Sequence, residues 1–408
     1  MAANASRLTV PPPPLTRLDD MLPAEPMLLM GAGPVPIPHA VARANGVVIN
    51  HLGETMGRVI DSLKAMARYA FQTRADKVFG VAGPASAAME MAITNLLWPS
   101  RKCLCLKTGT FSGRLAEMAE CVGADVTILE TKTAEPITAD MVEEALRKGR
   151  YDVVTLVHGE TSCGVLNDEL PQIAALVREH GALTLVDAVV TLSTLPLEMD
   201  AWNLDAVVTG GQKGLSSIPG VSLVAFSDRA WKVVESRPVR PTHWCLDAIR
   251  AQRFWGEHQY HYTAPVPGIL ALHEALRLVA EEGLAARHER HRISSESLQE
   301  GLEAMGLELF VPKARRLNSV IAVRVPPSTI SREVLAYMSR KFHVEISGSL
   351  GLDVVRLGQM GEQCRSHNLF KVLYATGMSF RHFGVDLDVS QGLAALERGL
   401  SRFHHEFE

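Results

Sequence analysis

One lysine sits in a tight glycine turn between two apolar runs. Asp205 to Ser227 reads DAVVTGGQKGLSSIPGVSLVAFS, with Lys213 flanked by Gly210, Gly211 and Gln212 on one side and by Gly214 and Leu215 on the other. A lysine leaving a buried strand costs desolvation and side-chain entropy. Held in low polarity, its amine has a lowered pKa and acts as a nucleophile toward carbonyl carbons. Upstream, LTLVDAV ends a second apolar run on Asp187. Ligands of open α/β sheets lie at the carboxyl ends of strands, so the lysine and the acid form either a structural ion pair or a reacting pair. HGETSCGVLN (158–167) adds the hydroxyls of Thr161 and Ser162, suited to a ligand oxygen or to turn capping. VAGPASAAMEMA (81–92) opens a helix at Ala85 and Ser86, where free N–H groups and the helix dipole attract an anion, although Pro84 has no N–H to give. KTGTFSGR (107–114) places Phe111 just past a strand, as a core aromatic or as a plate for a flat ring.

The elements that must position these residues alternate along the chain. Met56, Val59, Ile60, Leu63, Met66 and Ala67 recur at helical spacing. Strands are expected at 77–81, 102–107, 125–130, 152–157, 183–188, 205–210 and 221–227, with helices at 85–97, 111–122, 139–148 and 169–180 between them. The strands are continuous Val/Leu/Ile/Ala runs, which predicts an α/β fold with a mainly parallel sheet buried on both faces. The last two strands follow each other with no helix between, so an antiparallel pair and a mixed sheet are expected. A helix over 267–282 stops at Gly283, and RHERHRISSESLQEGLEAM (287–305) reads as a connecting helix. Its His288 and His291, at helical spacing, read as a solvated face. Strands near 318–324 and 353–357, with helices at 331–342, 363–381 and 389–403, then suggest a smaller α+β domain. The expected division is an N-terminal arm over 1–26, stiffened by Pro11 to Pro14, a large domain over 27–286 and a small domain over 287–408.

The 408 residues are 47% hydrophobic and 21% charged with net charge −4, an ordinary globular balance. No basic stripe points to nucleic acid, and no uninterrupted apolar run reaches the roughly 18 residues of a membrane span. The N-terminal residues lack the basic and apolar regions of a secretory signal, so a cytoplasmic protein is expected. The six cysteines show no metal-ligand spacing and read as reduced packing thiols; no metal is expected. GAGPVP (31–36) is no dinucleotide fingerprint, because no strand precedes it.

Lysine and aspartate at neighbouring strand ends match the needs of pyridoxal 5'-phosphate. The lysine forms a Schiff base with its aldehyde, and the aspartate keeps the pyridine nitrogen protonated so that the ring accepts electrons. The chain resembles the alanine–glyoxylate, serine–pyruvate and pyridoxamine–pyruvate group of class V, fold-type I pyridoxal-phosphate aminotransferases. The resemblance spans roughly residues 27–380 and rests on eight ordered stretches: GAGPVPIP, GPASAAME, GTFSGR, HGETSCGVL, LVDAV, GGQKGL followed by PG, QYHYTAPV and VVRLGQMG. It implies a large domain with a mixed seven-stranded sheet, a small C-terminal domain and a homodimer with shared active sites. It implies that Lys213 is the Schiff-base lysine and proton shuttle, that Asp187 pairs with the pyridine nitrogen, that Phe111 stacks on the ring and that Thr161 bonds near the ring hydroxyl. Gln212 with the Pro84–Ala85–Ser86 turn would hold the phosphate, and Tyr260 and Thr263 would reach the neighbouring subunit's phosphate. Arg356, and beside it Gly33 and Thr161, would bind the substrate; a guanidinium suits a carboxylate through two parallel hydrogen bonds.

The implied reaction is transamination between a small alanine- or serine-like amino acid and glyoxylate or pyruvate. The implied partners are those small molecules, with neither nucleic acid nor membrane. The sequence departs from relatives at Pro84–Ala85, where Ser-Gly is common, at Phe111, where tryptophan or tyrosine is common, in GAGP for GPGP, and in a short 347–355 stretch beside Arg356. Tyr260 favours the alanine/serine–glyoxylate type over the ureidoglycine type. Pyridoxamine or ureidoglycine as amine, a lyase or desulfurase using Cys163, and a non-enzymatic binding protein are the alternative readings.

Overall fold

The computed structural model describes residues 13–349 and 351–404. Pro11 and Pro12 of the expected arm lie outside the described residues; Pro13 and Pro14 are exposed.

Seven strands form the main sheet: β1 (Lys77–Gly83), β2 (Lys102–Lys107), β3 (Asp125–Glu130), β4 (Val153–Val157), β5 (Leu183–Asp187), β6 (Ala206–Gly210) and β7 (Gly220–Phe226). Their spatial order is β1-β7-β6-β5-β4-β2-β3. β7 runs antiparallel to both β6 and β1, and the remaining pairs are parallel, so the sheet is mixed as expected. Every residue of β4, β5 and β6 is buried, which accounts for their unbroken apolar runs. The edge strand β3 is mostly exposed and carries the polar residues Asp125, Thr127 and Glu130.

Helices α1 (Glu54–Phe71), α2 (Ala85–Leu96), α3 (Thr110–Cys121), α4 (Ala139–Lys148), α5 (Leu170–Glu179), α6 (Asp228–Ser236), α7 (Ala248–Glu257) and α8 (Val266–Glu282) accompany the sheet. In α1 the stripe Met56, Ile60, Leu63 and Ala67 is buried. Burying each Leu or Ile side chain of such a stripe is worth about 1.5–3 kcal/mol. The short helix His39–Asn45 has no counterpart in the sequence reading, and neither do two of the helices just named. They are α6, capped by Ser227 accepting from the Ala230 amide, and α7, capped by Asp247 accepting from the Ile249 and Arg250 amides.

A second core gathers around a three-stranded antiparallel sheet, with β10 (Val354–Gly358) between β8 (Val320–Arg324) and β9 (Ser347–Gly348). Helices α10 (Ser331–Phe342), α11 (Ser366–His382) and α12 (Val389–His404) pack here, and α9 (Leu284–Ala304) reaches it from the main domain. Leu284 of α9 lies in the first core, whereas Leu298 and Leu302 lie in the second. Residues 28–30, assigned above to the large domain, pack with the second core. Leu28 and Leu29 pair in parallel with Val344 and Glu345, and Met30 is fully buried there. Among the described residues no helix is long and apolar enough to cross a membrane.

The reading of RHERHR as a solvated face is overturned. Arg287 is 3% exposed and His291 is fully buried, because α9 runs between the two cores rather than over the surface.

Candidate active site

The carboxyl ends of β1, β2, β4, β5 and β6 open on one edge of the main sheet. Asp187 is the last residue of β5 and lies in register with Val208 of β6 on one side and Val157 of β4 on the other. Lys213 follows β6 in a turn closed by Ser216 N–H donating to the Lys213 carbonyl, 2.9 Å, and Ser217 N–H to the Gly211 carbonyl, 2.8 Å. Only glycine fits at 214, since a Cβ there would meet the Leu192 carbonyl at 2.5 Å. Only glycine fits at 33 too: its φ is +99°, and a Cβ would press on the Lys213 side chain, whose Nζ donates to the Ala32 carbonyl.

Both groups are held away from their ordinary protonation. Burial lowers the Lys213 amine to about 8, the Arg356 guanidinium pushing the same way and Asp187 opposing. Burial raises the Asp187 carboxyl to about 7, opposed by the Val189 amide that donates to Oδ1 at 2.8 Å; Glu160 raises it further and Lys213 lowers it. The lysine amine therefore feels both the acid and the arginine.

Arg356 points from β10 of the second core toward this space. Its Nε and Nη2 donate to the Gly348 carbonyl at 2.9 and 2.6 Å, and Nη1 donates to the Thr161 carbonyl at 2.9 Å. A guanidinium has five N–H groups, so one remains on each Nη, the fork that a carboxylate takes bidentately. Thr161 is buried and presents its carbonyl to this arginine.

Gln212, Gly210 and Ala85 converge where α2 begins. A Cβ at Gly210 would meet Gln212 Oε1 at 2.9 Å and the Ala85 methyl at 3.0 Å. Gln212 Oε1 is buried without a hydrogen-bond partner. A half-turn of that amide presents N–H groups to an anion. Pro84 caps the helix from an extended conformation, leaving the first-turn amides of Ala85 and Ser86 facing the same point. Phe111 is half-buried in the first turn of α3, with the Arg114 guanidinium 4.7 Å from its ring centre.

Glu160 escaped the sequence reading although it stands inside HGETSCG. It is fully buried, and it accepts from the amides of Phe111 (3.3 Å), Ser112 (2.9 Å) and Ser162 (3.1 Å) and from the hydroxyls of Ser112 (2.9 Å) and Ser162 (2.6 Å). One carboxylate thus ties the Phe111 turn to the strand end that carries Thr161. Tyr260 and Thr263 do not join this cluster within the chain: Tyr260 is 59% exposed and Thr263 is exposed.

A half-buried lysine and a buried acid at adjacent strand ends, an anion-ready helix start with an orphaned amide beside it, and a mixed sheet covered on both faces together define a fold-type I pyridoxal-phosphate enzyme. The residues present fit that cofactor. The chain belongs to the class V aminotransferases, whose family pattern it matches over residues 39–367. It is 36% identical over 364 residues to the alanine–glyoxylate aminotransferase of Oryctolagus cuniculus, covering 87% of this chain and 93% of that one. The solved alanine–glyoxylate aminotransferase of Nostoc sp. superposes with a TM-score of 0.86 at 34% identity, covering 90% of this chain and all of that one. The pyridoxamine–pyruvate aminotransferase of Mesorhizobium loti superposes at 0.89 with 25% identity, covering 93% and 98%. The protein is a pyridoxal-phosphate-dependent aminotransferase.

Proposed function

We propose that this aminotransferase moves an amino group from an alanine- or serine-like amino acid to glyoxylate or pyruvate. The observation that carries the reading is that Lys213 lies close enough to both Asp187 and Arg356 to feel their charges, one from each core. Pyridoxal phosphate, when bound, supplies an electron sink for the bond to the substrate's α-carbon. Lys213 would hold the cofactor aldehyde until the substrate's amine displaces it, and its freed amine, lowered to about 8, takes a proton from that carbon and returns it. Asp187 holds a proton toward the ring nitrogen, its buried carboxyl balanced between charge states. Gln212 with the Ala85 and Ser86 amides binds the phosphate, and Phe111 covers the ring. Arg356 takes the substrate carboxylate on its two free N–H groups and so fixes the α-carbon's orientation. Gly33 leaves room beside the amine.

The names of the rabbit and Nostoc relatives and the exposed Tyr260 support the alanine–glyoxylate type. Tyr260 and Thr263 act across a homodimer, each reaching the partner's phosphate. A desulfurase reading needs a reactive thiolate, whereas burial pushes the Cys163 thiol up to about 11.

A donor screen tests the assignment. Alanine or serine should convert the bound cofactor to its amine form, with an absorbance change, and glyoxylate or pyruvate should reverse it in ping-pong kinetics. An enzyme that is inert to both donors but releases sulfide from cysteine contradicts it.

A further inference from the structure

We propose that Arg287 is a positioning residue for Lys213, fixing the turn that aims the lysine amine. The inference rests on the reading of Lys213 as the reacting lysine. Arg287 stands at the start of α9, behind the lysine turn and away from the substrate side. Its Nη2 donates to the carbonyl of Gly214, the residue after Lys213, at 2.6 Å. Its Nε donates to Ser193 Oγ at 3.3 Å, and Ser193 Oγ donates in turn to the same Gly214 carbonyl at 3.0 Å. Ser193 belongs to the loop that leaves Asp187 and has a left-handed backbone, φ +67°. One buried cation therefore clasps the loops that carry the lysine and the acid.

The clasp is itself anchored. Arg287 Nη1 pairs with Glu282 at 2.6 Å, and Arg290 pairs with the other Glu282 oxygen at 2.5 Å. Arg290 Nη1 reaches the Gly361 carbonyl at 2.9 Å. The Gly361 amide donates to His291 Nε2 at 2.9 Å, while His291 Nδ1 donates to the Arg287 carbonyl at 2.7 Å. Gly361 follows β10, the strand of Arg356, and has φ +57°; any Cβ there would overlap the Ser216 hydroxyl of the lysine turn. Helix α9 thus joins the lysine turn to the strand end of the substrate arginine through buried hydrogen bonds. A charged donor on a carbonyl is stronger than a neutral one, and water cannot replace it in a buried site. Without Arg287, Gly214 keeps only the serine hydroxyl, and the turn is free to rotate its peptide.

The test compares Arg287→Met, Arg287→Lys and Ser193→Ala in the full-length enzyme. Two readouts are needed: the rate at which the resolved protein captures added pyridoxal phosphate, followed by its absorption band, and the steady-state constants of the reconstituted enzyme. Misaiming the amine predicts that Arg287→Met lowers both the capture rate and kcat about tenfold or more while KM moves less than about threefold. Arg287→Lys, which keeps a cation beside Glu282 and one donor for Gly214, should restore part of both. Ser193→Ala, which removes the second donor, should slow both by roughly twofold to fivefold.

Capture and kcat at wild-type levels in Arg287→Met, or a lowered melting temperature with unchanged kcat per bound cofactor, would overturn the proposal. If Arg287→Met fails to fold, wild-type behaviour of Ser193→Ala overturns it alone. A Lys213→Ala enzyme that still turns over defeats the underlying assignment instead, so the two failures are separable.

Discussion

Burial sets the chemistry of the two central residues before any substrate arrives. Asp187 has a folded pKa of about 7 against an ordinary 3.8. Between those values the folded chain binds more protons there than the unfolded chain. The cofactor-free protein therefore loses stability as pH rises through that window, by at most about 1.4 kcal/mol per pH unit from this one group. Lys213 has the opposite slope. Its pKa falls from 10.5 to about 8, so between those values the unfolded chain binds more protons and stability recovers as pH rises. Asp187→Asn should remove this group's downward share of the pH slope in urea midpoints of the cofactor-free protein, leaving the opposite contributions of buried His158, His288 and His291, yet lower kcat of the loaded enzyme by roughly 10² to 10³. A variant that keeps the slope, or keeps its kcat, would contradict the role given to this carboxyl. Lys213 and Asp187 stood out in the sequence because a lysine in a glycine turn and an acid at a strand end are local signals, whereas Arg356 entered only through the family resemblance. Glu160 and Arg287 did not stand out, because each acquires its meaning from amides and carbonyls brought by distant segments.

At the scale of elements, the site is where strand ends and helix starts meet. The end of β6 and the start of α2 are so close that Gly210 has no space for a methyl group beside Gln212 and Ala85. Gly210→Ala pushes on the flexible Gln212 amide rather than on backbone, so the fold should survive. The phosphate cradle should not: the dissociation constant for pyridoxal phosphate, from titration of the resolved protein, is expected to rise about tenfold, near 1.4 kcal/mol. An unchanged constant would move the phosphate elsewhere. The strands of the sheet were readable from their apolar runs, and β2, β3, α4 and α10 fall on the expected bounds. The helices α6 and α7 were missed although Ala248, Ala251, Phe254 and Trp255 recur at helical spacing and Ser227 and Asp247 offered cap signals. α9 was found but turned inside out, because a run of charge is solvated only when nothing packs over it. Here both cores do, and its arginines are met by Glu282 and by backbone carbonyls.

For the whole molecule, Tyr260 and Thr263 are exposed and stand apart from the site of their own chain. The account expects a homodimer by sedimentation. It also expects Tyr260→Phe to weaken cofactor binding without weakening transamination per bound cofactor. A monomer with full affinity for pyridoxal phosphate would remove both residues from the site. The two cores, joined by α9 and by residues 28–30, bring Arg356 from one against Lys213 and Asp187 from the other. No single stretch of sequence contains that convergence.

The most direct measurement is reductive trapping of the loaded enzyme followed by peptide mass spectrometry. The account predicts one pyridoxyl phosphate group per chain, on the peptide carrying Lys213. A label on another lysine, or an unmodified Lys213 in active enzyme, would contradict it.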